Sequence, residues 1–341
     1  MSAPDDQTRA RVTIIDVARE AGVSVPTVSK VLRNAYGVSP TTRERVEKTI
    51  EELDYRPLAS ARGMRGSTYT IGVLAPDISN PFGVMLIDGV IEGLHSSEYE
   101  LSIAAPRANP VDHGRAINAM LDRRVDGLVL IAPLVGQDDL EKLGRMTPTV
   151  VVGRHGPAAH FDTVAGDDVA GADLVVDHLV SLGHTDIAFV GHGGDAGPRQ
   201  PHHVREVGFL SAMRRHGLES GARMLRTTWT ERGGREAARL LREEPGSTTA
   251  VFTGADVVAY GMLHDLWDDA IEIPGHLSIA GYDNTPVGGL APISLTTVDQ
   301  GGREMGMMAA EFILERFAGP RAASHRVTAP RLIVRRTTGP R

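Results

Sequence analysis

Two helical patterns separated by the tripeptide Gly22-Val23-Ser24 stand near the start of the chain. In the first, Thr13 precedes Asp16 by the spacing of a capping box, and Ile14, Val17, Ala18 and Ala21 recur at helical intervals. The second runs through Val25, Val28, Val31 and Leu32, with Pro26 where only a first helical turn accepts it. Ser39-Pro40 opens a third helix running to about Leu53, with Val46, Ile50 and Leu53 on one face. Residues 12–57 therefore read as a three-helix unit with a minimal core. Two helices joined by a tight turn are the architecture that lays a second helix in the major groove of DNA.

That second helix carries the right chemistry. Ser24, Thr27, Ser29, Lys30, Arg33 and Asn34 supply groups for phosphates or base edges, while Val28, Val31 and Leu32 hold it to its neighbours. Net charge gives modest support: residues 1–65 hold 11 Lys and Arg against 9 Asp and Glu, and the remainder 25 against 34. The overall charge of -7 excludes a general nucleic-acid-coating protein.

From Thr70 the pattern changes to short apolar runs alternating with longer helical stretches. Ile71–Leu74, Leu101–Ala104, Gly127–Ile131, Val150–Val152, Ile187–Val190, Ala250–Phe252 and Leu277–Ala280 have the length and continuity of strands covered on both faces. The expected fold is α/β, with mainly parallel sheets in a two-subdomain body spanning 67–341. Expected boundaries are about 69–168 plus 300–328 for the N-subdomain, and about 169–299 plus 329–338 for the C-subdomain. Residues 1–11 read as a flexible tail and 58–66 as a hinge or linker. Ligands of such sheets bind beyond the carboxyl ends of the strands.

The chain has no Cys, which excludes disulfides, thiolate metal sites and thiol nucleophiles. Its first residues lack a secretory pattern and no apolar run reaches membrane-spanning length, so a cytoplasmic protein with no membrane partner is expected.

The run from Val12 to Leu32 resembles, without gaps, the signature of the LacI/GalR repressor family. The resemblance continues through Leu53-Asp54-Tyr55-Arg56-Pro57, Asp77-Ile78-Ser79-Asn80-Pro81-Phe82, Arg124-Val125-Asp126-Gly127-Leu128, Leu277-Ser278-Ile279-Ala280-Gly281-Tyr282-Asp283 and Leu295-Thr296-Thr297-Val298-Asp299-Gln300. It implies a periplasmic-binding-protein-like body and a homodimer on palindromic operator DNA, with transcription controlled by a small-molecule effector, expected to be a saccharide, and no cofactor. Operator-choosing positions match Val25, Pro26 and Lys30, and Thr13 and Tyr55 join the candidate DNA contacts. Ala61 matches a hinge contact, Met64 stands where a leucine wedge is usual, and Leu58 replaces a usual asparagine. The effector candidates implied are Asp77, Ser79, Asn80, Phe82, Arg205, Trp229, Asp256 and Asp283. Ala255 and Gly153 stand where polar anchors are common.

Competing readings have less support. The glycine-rich run Phe189–Asp195 follows a strand but lacks the spacing of dinucleotide or P-loop fingerprints. His192, His202 and His203 lack the spacing of a metal site. No nucleophile elbow or HExxH motif marks an enzyme.

Overall fold

The computed structural model describes residues 12–32, 35–55, 66–194, 197–244 and 246–341. The chain divides into two compact units, Met1–Thr68 and Tyr69–Arg341.

In the first unit, α1 (Ile14–Glu20), α2 (Val25–Leu32) and α3 (Pro40–Glu52) surround a core of Val17, Ala18, Ala21, Val28, Val31, Val46 and Tyr55. Thr13 caps α1 with the reciprocal Asp16 contact expected, its backbone N–H donating to Asp16 Oδ2 at 2.9 Å. The turn into α2 passes through Gly22 at φ +62°, a conformation a Cβ would strain. Ser39 caps α3, with Pro40 in its first turn.

The second unit holds two parallel α/β layers. Its first elements are β1 (Thr70–Leu74), α4 (Pro81–Gly93), β2 (Glu100–Ala104), α5 (Pro110–Asp122), β3 (Gly127–Ile131), α6 (Gln137–Met146), β4 (Thr149–Val152) and β5 (Asp162–Gly166). There follow α7 (Asp168–Ser181), β6 (Ile187–His192), α8 (Pro201–Arg215), β7 (Ala222–Thr227), α9 (Glu231–Glu243), β8 (Ala250–Thr253), α10 (Asp256–Asp268) and β9 (Ser278–Ala280). The chain ends with β10 (Thr297–Asp299), α11 (Gly302–Ala318), β11 (His325–Thr328) and β12 (Arg331–Ile333).

One sheet has the order β11-β5-β4-β3-β1-β2 and the other β7-β6-β8-β9, both parallel throughout; β10 and β12 form a small antiparallel pair. The central strands β3, β4, β5 and β8 are buried along their whole length, as continuous apolar runs require. Five strands are absent from the sequence reading: β5, β7, β11 and the short antiparallel pair β10 and β12. β7 and β11 are edge strands, half exposed and rich in polar residues, whereas β5 is buried but opens Asp162-Thr163 instead of with an apolar residue. The chain leaves the six-stranded sheet after β5, returns to it for β11 after β10, and leaves it again for β12, so its strands do not come from one continuous segment.

Candidate functional site

Ser24, just before α2, and Val25, Pro26 and Lys30 on it are exposed, while Val28 and Val31 face inward. The apolar positions fix the helix, and the side chains left outside are those matched to operator choice. Ser24 Oγ lies 2.9 Å from Thr27 Oγ1 and accepts the Thr27 backbone N–H at 3.3 Å, so these hydroxyls also cap the helix. Thr27 and Ser29 are half-buried, and Thr13 is exposed at the start of α1. A shallow groove beside α2 adds Ser39, Thr42 and Arg45, which the sequence reading did not single out; the polar start of α3 was the available signal.

Tyr55 is 9% exposed and packs in the three-helix core. Arg33, Asn34, Leu58, Ala61 and Met64 lie outside the described residues.

The second site lies where strand ends of the two sheets face one another, in a cavity of about 170 Å³ that opens to solvent. Six of the eight residues expected there line it: Asp77, Asn80, Phe82, Arg205, Trp229 and Asp283. Ser79 and Asp256 do not. Ser79 Oγ donates to Asp77 Oδ1 at 2.5 Å in a tight local turn. Asp256 lies beneath the wall, taking the backbone N–H of Thr285 at 2.8 Å, its hydroxyl at 3.1 Å and the Thr297 hydroxyl at 2.5 Å. Burial raises its carboxyl to about 6, against the pull of those donors.

Arg205, on the first turns of α8, is almost wholly buried. Its Nε and Nη2 donate to Asp168 Oδ1 at 2.9 and 2.6 Å, and Nη1 donates to the Gly254 carbonyl. The guanidinium lies 3.6 Å from the centre of the Tyr282 ring and 5.0 Å from that of Trp229. Asp168 also contacts His155 Nε2 through Oδ2 at 2.7 Å. Burial opposes its ionisation, but Arg205 and His155 prevail and hold its carboxyl below the ordinary range.

Asp283 is held differently. Its backbone, at φ +118°, is pinned by its own N–H donating to the Val298 carbonyl at 2.8 Å, and Gln300 Nε2 donates to its Oδ1 at 2.6 Å. Burial drives its carboxyl well above the ordinary range, against the influence of Arg205. One cavity thus contains an acid spent on an arginine and a second acid whose ionisation burial opposes.

Asp168 and Gln300 line the cavity and were missed by the sequence reading. The available signal was the pair Asp167-Asp168 after β5, but only the structure separates them: Asp167 Oδ1 caps Ala170 and Asp168 turns inward. Gly153 contributes bare backbone, and the neighbouring Arg154 turns away to Gln137 Oε1 at 3.2 Å. The rings of His192 and His202 lie 4.9 Å apart and tilted, each 6.0 Å from Trp229, and burial lowers His202 to about 4. The cleft is bridged by Gln200 Nε2, which donates to the Pro133 carbonyl at 2.9 Å, and by the His155 N–H, which donates to the Arg199 carbonyl at 2.9 Å.

A helix-turn-helix unit followed by a two-layer binding body defines a ligand-responsive, DNA-binding regulator of transcription. Residues 13–57 match the model for bacterial regulatory proteins of the lacI family, and residues 176–338 match that for a periplasmic binding protein-like domain. The chain is 32% identical to the HTH-type transcriptional regulator DegA of Bacillus subtilis, over 97% of this chain and 99% of that protein. It is 31% identical to the ribose operon repressor of Escherichia coli, over 95% and 98% respectively. A crystal structure of a LacI-family regulator from Enterococcus faecium with bound ribose aligns with TM-score 0.71 and 28% identity, covering 80% of this chain and 99% of that one. The chain belongs to the lacI family.

Proposed function

We propose that the protein is a homodimeric repressor that reads a palindromic operator through the exposed face of α2 and yields that operator when a sugar or sugar derivative occupies the cleft. The observation that carries the ligand half is Arg205, fixed by Asp168 between two aromatic rings at the cavity wall. A planar fork held in this way presents its remaining N–H groups in one direction, as hydroxyl recognition demands. The ribose named for one relative and one solved structure supports a saccharide.

Dimerisation follows from the size of the reader. One eight-residue helix makes few base contacts, while two related by a twofold axis read a palindrome. Ligand binding changes the relation of the two subdomains because the cavity is built from both, and the population shift reaches the DNA-binding units. The proposed setting is the cytoplasm, where operator DNA is met.

Fluorescence anisotropy with a panel of palindromic duplexes, across salt concentrations and with a sugar library added, tests this reading. Sequence-selective, salt-sensitive binding that a sugar releases is expected. Ligand binding without selective DNA binding to any duplex refutes it.

A further inference from the structure

We propose that the cleft selects an uncharged, amphipathic ligand: a sugar with an apolar substituent, and not a sugar phosphate or sugar acid. The inference rests on the cleft being the effector site and narrows its ligand class by charge and by the polarity of the walls.

Charge comes first. Arg205 is the only cationic side chain lining the cavity among the described residues. It is already neutralised by Asp168 at hydrogen-bond distance, and three of its five N–H groups are committed to Asp168 and the Gly254 carbonyl. The other ionisable lining groups are the carboxyls of Asp77 and Asp283. A phosphate or carboxylate here meets no free cation among the described residues and faces the Asp77 carboxyl, so it loses its hydration without compensation. A neutral hydroxyl meets the remaining Arg205 N–H groups as donors, with Asp283 and Gln300 beside them.

The opposite wall has different chemistry. Phe82, Leu86, Ile131, Val152 and Met305 form it, and the two polar residues on that side are partly spent on their own loop. Asp77 Oδ1 accepts the Ser79 N–H at 2.9 Å, and Asn80 Oδ1 accepts the Phe82 N–H at 3.0 Å. A free hexose, polar around its rim, leaves this wall wetted. An alkyl or aryl glycoside covers it and gains the apolar burial, worth roughly tenfold or more in affinity for a phenyl group. Gly153 and Ala132 add backbone and a single methyl group to the lining.

Calorimetric titration of the full-length protein tests the proposal with free pentoses and hexoses, their phosphates, their uronic acids and their phenyl glycosides. Trp229 emission in a Trp267→Phe variant reports occupancy of the cleft. The expected result is no binding of phosphates or uronates, and phenyl glycosides binding at least about tenfold more tightly than the parent sugar, with a change in Trp229 emission. A phosphate or uronate that binds more tightly than its neutral parent, with the same emission change, overturns the inference and leaves the cleft reading intact. A free sugar that outbinds its own phenyl glycoside does the same. Binding that leaves Trp229 emission unchanged overturns the cleft reading itself, and no binding in any class overturns both.

Discussion

Asp168 and Arg205 lie 37 residues apart in sequence and form an ion pair in which each side chain is 2% exposed. The acid begins α7 and the base stands in the second turn of α8, so the pair joins the N-terminal ends of two neighbouring helices at the cavity wall. Removing one partner of such a pair leaves a charge buried without compensation. Asp168→Ala is expected to cost about 3–5 kcal/mol in urea-induced unfolding and to abolish ligand binding in calorimetry. Asp168→Asn, which retains an acceptor for Arg205, is expected to lose less.

The same pair sets an acid-side pH dependence. The folded carboxyl of Asp168 lies below its ordinary value of 3.8, so its stabilisation is complete above that value and is lost as pH falls through the lowered one. Unfolding midpoints of wild type and Asp168→Asn are therefore expected to converge toward acid. A constant difference down to pH 2 contradicts the assignment.

Asp256 has the opposite sign. Its carboxyl is raised from 3.8 to about 6, so the native state binds this proton more tightly and stability declines as pH rises between those values. The loss is roughly 3 kcal/mol, from about 1.4 kcal/mol per pKa unit. In Asp256→Asn the amide oxygen can face the Thr285 N–H and the amide nitrogen the Thr297 hydroxyl, replacing the protonated acid. Urea unfolding of this variant between pH 4 and 7 is expected to lack that decline.

Gly254 has no room for a Cβ, which would lie 2.3 Å from the Trp229 ring. Gly254→Ala is expected to displace Trp229 from Arg205 and weaken ligand binding at least about tenfold, since the ring is part of the cavity wall. Calorimetry together with Trp229 emission checks this. Unchanged affinity with shifted emission shows that the ring is not a ligand contact.

On α2, Lys30 projects outward from a helix held by Val28 and Val31. If its ammonium meets a phosphate, Lys30→Ala lowers affinity for all duplexes alike and reduces the slope of log K against log salt by about 1 per operator half-site. Loss confined to one base position in a duplex panel assigns Lys30 to base readout instead.

Much of this architecture is written locally. The capping box at Thr13, the turn at Gly22 and the cap at Ser39 each depend on residues within a few positions, and the structure places them where the spacing did. The buried strands β1, β3, β4, β6 and β8 were legible because a strand covered on both faces must be apolar throughout. Edge strands β7 and β11 escape that test: one of their flanks meets solvent, and polar residues are tolerated.

The candidate cleft was legible through motif positions, and there the limits of sequence are clearest. Asp77 and Ser79, or Asp167 and Asp168, are near neighbours of similar chemistry, and only the path of the backbone turns one to the cavity and the other to a local cap. Asp256 and Asp283 differ in the same way: one is spent on threonine hydroxyls beneath the wall, and the other stands in the wall beside Gln300. The sequence by itself determined the helix-turn-helix, the alternating α/β body and the family, because caps, turns and apolar periodicity act over a few residues. Tertiary structure alone decided which acid neutralises Arg205, which acid is buried against ionisation and that Tyr55 is core, because burial and charge pairing depend on residues brought together from distant parts of the chain.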